Sequence, residues 1–324
     1  MIRLAKHPKK LRRIASRGEL ASCLKTREDR IADLVSDPSR HYGYFQLPKP
    51  NGQIREIHPP KRSLRAIQRA ILDLLYGRLR IPPYLHGGVP GRSIISHSKC
   101  HVGMDMVGTL DVKDFFPSTT EAAVTPVLVE AGFVDEALSD VICLSMLDGG
   151  LPQGSPVSCL LANLAFCAVD QRIRRICRRR GLSYSRYVDD IAVSGSGDFA
   201  ELKGPFIECI GCGGYDVAPH KVLFCASATR QIITGLVVND KLRPTKDFIS
   251  ELKHTIRLCI EYGASWIALS EGIRVAELKA RLNGRVSHVT QCDVSSGKRI
   301  RKLLFDVDWA GNRSETAAAA IEGA

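Results

Sequence analysis

The sequence has no apolar run long enough to cross a bilayer. Its longest nearly apolar stretch, Pro156 to Val169, falls short of the roughly 20 residues a membrane helix needs. No small-residue cleavage site follows an apolar run behind the basic N-terminus, so no targeting peptide is expected. The eleven cysteines are odd in number and share no recurring spacing, which excludes a disulfide framework. Cys209 and Cys212 form one CxxC, but no second pair or His pair follows at zinc spacing. Reduced, mostly buried thiols in a cytoplasm are therefore expected, with no membrane partner. The glycine-rich loop Gly87-Gly88-Val89-Pro90-Gly91-Arg92-Ser93 lacks P-loop spacing and is not read as a mononucleotide cradle. His97 and His101 stand four apart with no third ligand nearby, so a metal site is not expected there.

Acidic residues are also in short supply. Asp and Glu number 34 against 46 Lys and Arg, a net charge of +12, which favours a polyanionic partner without specifying one. With 324 residues, 44% of them apolar and 25% charged, the composition is that of a globular chain of two or three packed subdomains.

Against that shortage, Asp189 and Asp190 sit side by side between two β-prone runs, Ser185-Arg186-Tyr187-Val188 and Ile191-Ala192-Val193-Ser194. In a straight strand neighbouring side chains point to opposite faces. A tight turn removes that separation and lets both carboxylates face one point. Two anions that close repel, so a proton or a cation must compensate. Alone, the pair also has the composition of a solvated hairpin tip. A third carboxylate, Asp111, lies at the end of the apolar run Met106 to Val112. Three convergent carboxylates make a hard oxygen site suited to magnesium or manganese.

Four segments carry a family resemblance. DVKDFFPS from Asp111, LPQGSPVSCLLANL from Leu151, YVDD from Tyr187 and HKVLF from His220 resemble, in order, the palm motifs of reverse transcriptases. The resemblance runs from about Tyr44 to Asn239. It implies an α+β, right-hand polymerase fold with fingers, an antiparallel-sheet palm carrying the catalytic hairpin, and a helical thumb. The expected division is 1–40 basic N-terminal helices, 41–105 fingers with part of 118–150, 106–239 palm, 240–309 RNA-binding thumb and 310–324 disordered tail.

By the same resemblance, Asp111, Asp189 and Asp190, with the Val112 carbonyl, hold two Mg2+ ions (or Mn2+). Lys221 is the proton donor to departing pyrophosphate. Lys49 and Arg55 clamp the incoming triphosphate, and Gln153 lies against the nucleotide. Phe116 is the ring that excludes a 2′-hydroxyl. Asp114 and Phe115 meet the triphosphate through backbone amides, with the Phe115 ring assigned to the core. On composition alone, Lys49, Arg55 and Lys221 are surface charges and both phenylalanines are core packing.

Local signals fill in the rest. Leu4, Leu11, Ile14, Leu20, Leu24, Ile31 and Leu34 recur at near-helical spacing. Pro50-Asn51-Gly52 predicts a hairpin turn between Tyr44–Leu47 and Gln53–Ile57. Leu64, Ile67, Ile71, Leu74 and Leu75 predict the next helix. Ser155 and Pro156 read as the N-cap and first position of a helix from Val157 to about Arg180, its arginine-rich end at the surface. Glu201 to Cys212 reads as a helix, Gln231 to Asn239 as a strand pair, and Leu242 to about Leu304 as basic helices that either grip nucleic acid or are simply solvated. The glycines at 87–91 permit close approach of a backbone, the protein's own or a template's. His97 and His101 read as structural or RNA-contacting.

Ile233-Thr234-Gly235 is similar to the Val-Thr-Gly signature of bacterial retron reverse transcriptases, while His97 to His101 keeps only the final histidine of their Asn-Ala-x-x-His. The retron resemblance implies dNTP substrates, a cognate noncoding RNA as template, and priming from a guanosine 2′-hydroxyl. It also implies a branched RNA–DNA product (msDNA) that stays bound, and antiphage defence with an effector or toxin protein. The alternatives are a diversity-generating or group II intron-like reverse transcriptase, the latter expected to carry a maturase region for which the sequence ends too soon. From another class comes a noncatalytic RNA-binding scaffold on a polymerase fold.

Overall fold

The computed structural model describes residues 12–48, 52 and 54–310. Lys49 and the tail beyond Ala310 lie outside the described residues, as do Leu4 and Leu11. The chain opens with α1 (Arg17–Cys23) and α2 (Glu28–Ser36), then the exposed hairpin β1 (Phe45–Pro48) and β2 (Ile54–Ile57). α3 (Arg62–Arg78) and α4 (Ile94–Lys99) precede the central strand β3 (Met106–Asp111). α5 (Glu121–Glu130), α6 (Asp135–Ser145), α7 (Ser158–Ala165) and α8 (Cys167–Arg179) follow. The hairpin β4 (Ser183–Tyr187) and β5 (Asp190–Gly195), then α9 (Lys203–Gly211) and β6 (Leu223–Ala226), complete a first compact unit that ends at Ala228. The second unit holds β7 (Ile232–Ile233), β8 (Leu236–Val237), β9 (Arg243–Pro244), α10 (Lys246–Tyr262), α11 (Ala264–Ser270), α12 (Val275–Cys292) and α13 (Val294–Phe305).

The elements follow the periodicity of the sequence. The Ser16 hydroxyl caps α1 by accepting from the Glu19 amide, and Ile14, Leu20, Leu24, Ile31 and Leu34 are all buried. On α3, Leu64, Ile67, Ile71 and Leu75 recur every three or four residues and are likewise buried, each contributing roughly 1.5–3 kcal/mol of apolar burial. The main sheet is antiparallel with strand order β4-β5-β3-β6. β3 lies inside it and is buried along nearly its whole length, so Met106 to Leu110 reads as an almost unbroken apolar run rather than an alternation.

Three local expectations are revised. The helix from Val157 is two helices, broken at Phe166. Ser155 does not cap it: its hydroxyl donates to Gln68 Oε1 at 2.9 Å. That buried glutamine already donates to the Tyr42 hydroxyl and the Leu144 carbonyl, leaving its acceptor oxygen to be satisfied by Ser155. Finally, the strand pair at 232–237 packs with the C-terminal helices rather than with the main sheet, because β8 also pairs with β9. Its turn residues Thr234 and Gly235 both have positive φ, +45° and +82°, as a type I′ hairpin requires. No helix among the described residues is long and apolar enough to cross a membrane.

Candidate active site

One end of the main sheet gathers carboxylates that are distant in sequence. In the β3–β5 register Asp111 faces Asp190, and in the β4–β5 register Tyr187 faces Asp190, so Val188 and Asp189 are the two residues of the turn. The turn is tied back to β3, since the Val112 amide donates to the Asp189 carbonyl at 3.1 Å. On the other flank the Lys113 amide donates to the Asp216 carbonyl at 2.8 Å and the Ala218 amide to the Asp111 carbonyl at 2.9 Å. This brings Lys221 Nζ to 2.6 Å from Asp111 Oδ2.

Asp111 is buried, and Asp189 and Asp190 are half-buried. Burial first, then the charges of Asp189 and Asp111, push Asp190 up to about 7, and it shares a hydrogen bond with Asp111. Burial and then Asp111 raise Asp189 too, against the opposing charges of Lys221 and Arg55. For Lys221 burial favours the neutral amine, but its hydrogen bond to Asp111 and the three carboxylate charges outweigh that and hold it above the ordinary lysine value. Crowded carboxylates of this kind are the right hard donors for a divalent cation. As the side chains stand, no group of three His, Cys, Asp or Glu among the described residues is placed to hold a metal ion. The Lys221 ammonium and the raised Asp190 carboxyl offset part of the cluster's negative charge. The donor chemistry fits a cation, and the cluster as placed is only partly neutralised.

The neighbouring residues form a floor around this cluster. Asp114 has φ +45°, and the amides of Asp114, Phe115 and Phe116 donate to no protein acceptor among the described residues. Successive amides around a left-handed residue make a concavity that receives anions. The Phe115 ring is buried, 5.5 Å from the Phe166 ring, so it can offer a ligand only its backbone. Phe116 is half-buried beside it. The Gln153 carbonyl accepts from the His58 amide at 2.8 Å, which fixes its loop to the end of β2. Arg55, exposed on β2, is close enough for its charge to act on Asp189.

Residues 47–233, more than half of the chain, match the family Reverse transcriptase (RNA-dependent DNA polymerase). The chain belongs to this family. It is 31% identical over 283 residues to the Retron Mx65 reverse transcriptase of Myxococcus xanthus, covering 81% of this chain and 64% of that one. It is 29% identical over 305 residues to the Retron Mx162 reverse transcriptase of the same organism, covering 84% and 62%. With the Retron Se72 reverse transcriptase of Salmonella heidelberg it shares 26% over 307 residues, covering 91% and 80%. The chain thus spans somewhat less than two thirds of the length of the first two relatives. These relatives are reverse transcriptases of the retron type, and the α+β architecture of the chain is the polymerase fold of the reverse transcriptase family.

Several residues around this candidate site escape the sequence motifs. Gly87 abuts the turn: a Cβ there would lie 2.6 Å from the Val188 nitrogen and 2.9 Å from the Tyr187 carbonyl carbon. The backbone that the glycine-rich loop admits here is therefore the protein's own. His101 lies 2.7 Å from Ser194 Oγ and 2.6 Å from Ser185 Oγ, and His97 packs on Tyr187. Both are fully buried, and burial lowers them to about 4 and about 3. They are neutral supports of the hairpin, out of reach of RNA. Arg186 is also fully buried, paired with Asp170. Its one sequence signal is a lone charge in the strand leading to the turn.

Proposed function

We propose that this chain is an RNA-directed DNA polymerase with its reaction centre at the Asp111, Asp189 and Asp190 end of the main sheet. The observation that carries the reading is the strand register that sets Asp111 opposite Asp190 beside the turn residue Asp189, within a family match that includes all three. Two divalent cations, Mg2+ or Mn2+, held by these carboxylates and the Val112 carbonyl, would supply Lewis-acid activation of the attacking hydroxyl and neutralise charge on pyrophosphate. The chain's own groups do the positioning. The amides of 114–116 receive phosphate oxygens, and Arg55 adds positive charge from β2; Lys49, outside the described residues, is assigned the same task by its place in the sequence alone. The Phe116 ring flanks the sugar, favouring deoxynucleotides, and Gln153 holds the nucleotide's other face. Lys221, paired with Asp111, would neutralise or protonate the leaving group.

The likeness to retron reverse transcriptases supports a finer reading. The template is a cognate structured noncoding RNA gripped by the helical C-terminal unit, which acts as a thumb. The product is a short DNA branched from a guanosine 2′-hydroxyl, made for antiphage defence alongside an effector or toxin protein. Eleven free cysteines support a reducing, cytoplasmic setting.

Primer extension on an RNA template with Mg2+ tests the core of this. Asp189→Ala combined with Asp190→Ala is expected to abolish incorporation, by at least ~10³-fold; surviving activity would overturn the assignment. Sequencing nucleic acid that copurifies with the protein tests the finer reading. A 2′–5′ branch is expected, and ordinary 3′-primed products alone would refute the retron product.

A further inference from the structure

The turn that carries Asp189 is strained and held from inside. Val188 is β-branched, yet has φ +58°, a conformation that is a genuine outlier for such a residue. A two-residue hairpin turn that is left-handed only at its first position ordinarily has glycine there. Here the Val188 carbonyl accepts from Arg186 Nη1 at 2.7 Å. The rest of that guanidinium is fully engaged. Nε and Nη2 each donate to the Asp170 carboxylate at 2.8 Å. Nη1 also donates to Asn163 Oδ1, and Nη2 to the Asn163 carbonyl, both at 2.9 Å. The cation lies 4.7 Å from the centroid of the Phe166 ring. Asn163 Nδ2 in turn donates to the Gly87 carbonyl at 2.8 Å, closing the ring around the turn. A fully buried charge needs such partners to be tolerable at all. Nothing in that requirement obliges it to reach the one strained carbonyl.

We propose that Arg186 is a positioning residue whose fork, oriented by Asp170 and Asn163, holds Val188 left-handed and so sets Asp189 against Asp111 and Asp190. The role rests on the polymerase reading of those carboxylates. It differs from plain core stabilisation because relief of the turn strain should substitute for it.

The test compares Arg186→Lys, Val188→Gly and the double variant. Lysine keeps the charge but cannot present a planar fork to five acceptor atoms on three residues. Arg186→Lys is expected to lower kcat for primer extension by ~10–100-fold, as misplacement of a reacting group does, with the KM for dNTP moved little. Glycine adopts the left-handed turn unaided, so adding Val188→Gly should recover most of the loss. A readout free of substrate and metal is exchange of the Val112 amide, which donates to the Asp189 carbonyl. Exchange should quicken in Arg186→Lys and slow again in the double variant. Full kcat in Arg186→Lys, or a loss that Val188→Gly does not rescue while Val112 exchange is unchanged, overturns the proposal. If Arg186→Lys does not fold, Asn163→Ala, which removes one side-chain acceptor of the fork, is judged by the same two readouts and the same rescue. Should the wild-type protein extend no primer, the polymerase reading fails, and the Val112 exchange still decides the clamp.

Discussion

At the residue scale Asp190 gives the sharpest expectation. Its carboxyl is raised from 3.8 to about 7, by burial first and by Asp189 and Asp111 next. Between those values the folded chain binds more protons than the unfolded one, so stability falls as pH rises through that window. If Asp190 alone titrated, the loss would be at most on the order of 4 kcal/mol. In EDTA the melting temperature should therefore drop by several degrees (about 5) from pH ~5.5 to ~8. Mg2+ should restore it at the higher pH and do little at the lower, where protons hold the site. Scanning calorimetry checks this, and Asp190→Asn should remove both dependences. A Mg2+ effect equal at both pH values would argue against a cation competing with this proton. That Asp111, Asp189 and Asp190 meet, as distinct from what they do, was legible in the sequence. Asp111 ends an apolar strand and the pair sits at a turn, and the family likeness put both on one antiparallel sheet, as the β3–β5 register shows. The Lys221 side chain meets Asp111 by its reach, and only the five-residue likeness HKVLF hinted at the place.

At the scale of elements, periodicity told most of the story. Leu64, Ile67, Ile71 and Leu75 declared α3, and the Asn51-Gly52 pair announced the β1–β2 hairpin. Arg186 was not legible in the same way, because a buried guanidinium is chosen by partners on α7 and α8 that no strand pattern reveals. Phe166 was no signal for a break between those helices, since it is apolar and buried on either reading. Gly87 joins the two kinds of information. The sequence said a backbone approaches, and the fold says it is the turn at Tyr187–Val188. Gly87→Ala is expected to force that turn away, since its Cβ would stand 2.4 Å from Val188 Cγ2 as well as against backbone. A stability loss of ~1–3 kcal/mol and a fall in incorporation of ~10-fold or more are expected, measured by denaturant unfolding and primer extension. By contrast Gly77→Ala, on α3 with open space at its Cβ, should be neutral or stabilising by up to ~1 kcal/mol. Equal behaviour of the two variants would mean that the loop does not brace the turn.

At the scale of the whole molecule, the division at residues 228 and 229 was hidden by the shortness of the strands. β7, β8 and β9 have two residues each, too few to declare a face, and only the β8–β9 pairing assigns them to the C-terminal unit. The helical character and charge of that unit were plain. Over residues 229–310 it carries fourteen Lys and Arg against nine Asp and Glu. Arg230, Lys241, Arg243, Arg274, Arg281 and Arg285 are spent on acids. On α13 the side opposite buried Ile300 and Leu304 presents Lys298, Arg299, Arg301 and Lys302, all exposed and without an ion-pair partner among the described residues. Four unneutralised cations on one short helix repel one another, and a phosphate backbone relieves that repulsion by releasing its own counterions. If this face grips the noncoding RNA, replacing all four by Gln should weaken binding and flatten its dependence on salt, by a slope of ~0.7–0.9 for each phosphate no longer neutralised and so by up to ~3.6. Fluorescence anisotropy of labelled hairpin RNA between ~50 and ~200 mM salt measures both quantities. An unchanged slope would make α13 a solvated face and move RNA binding to another surface of the chain.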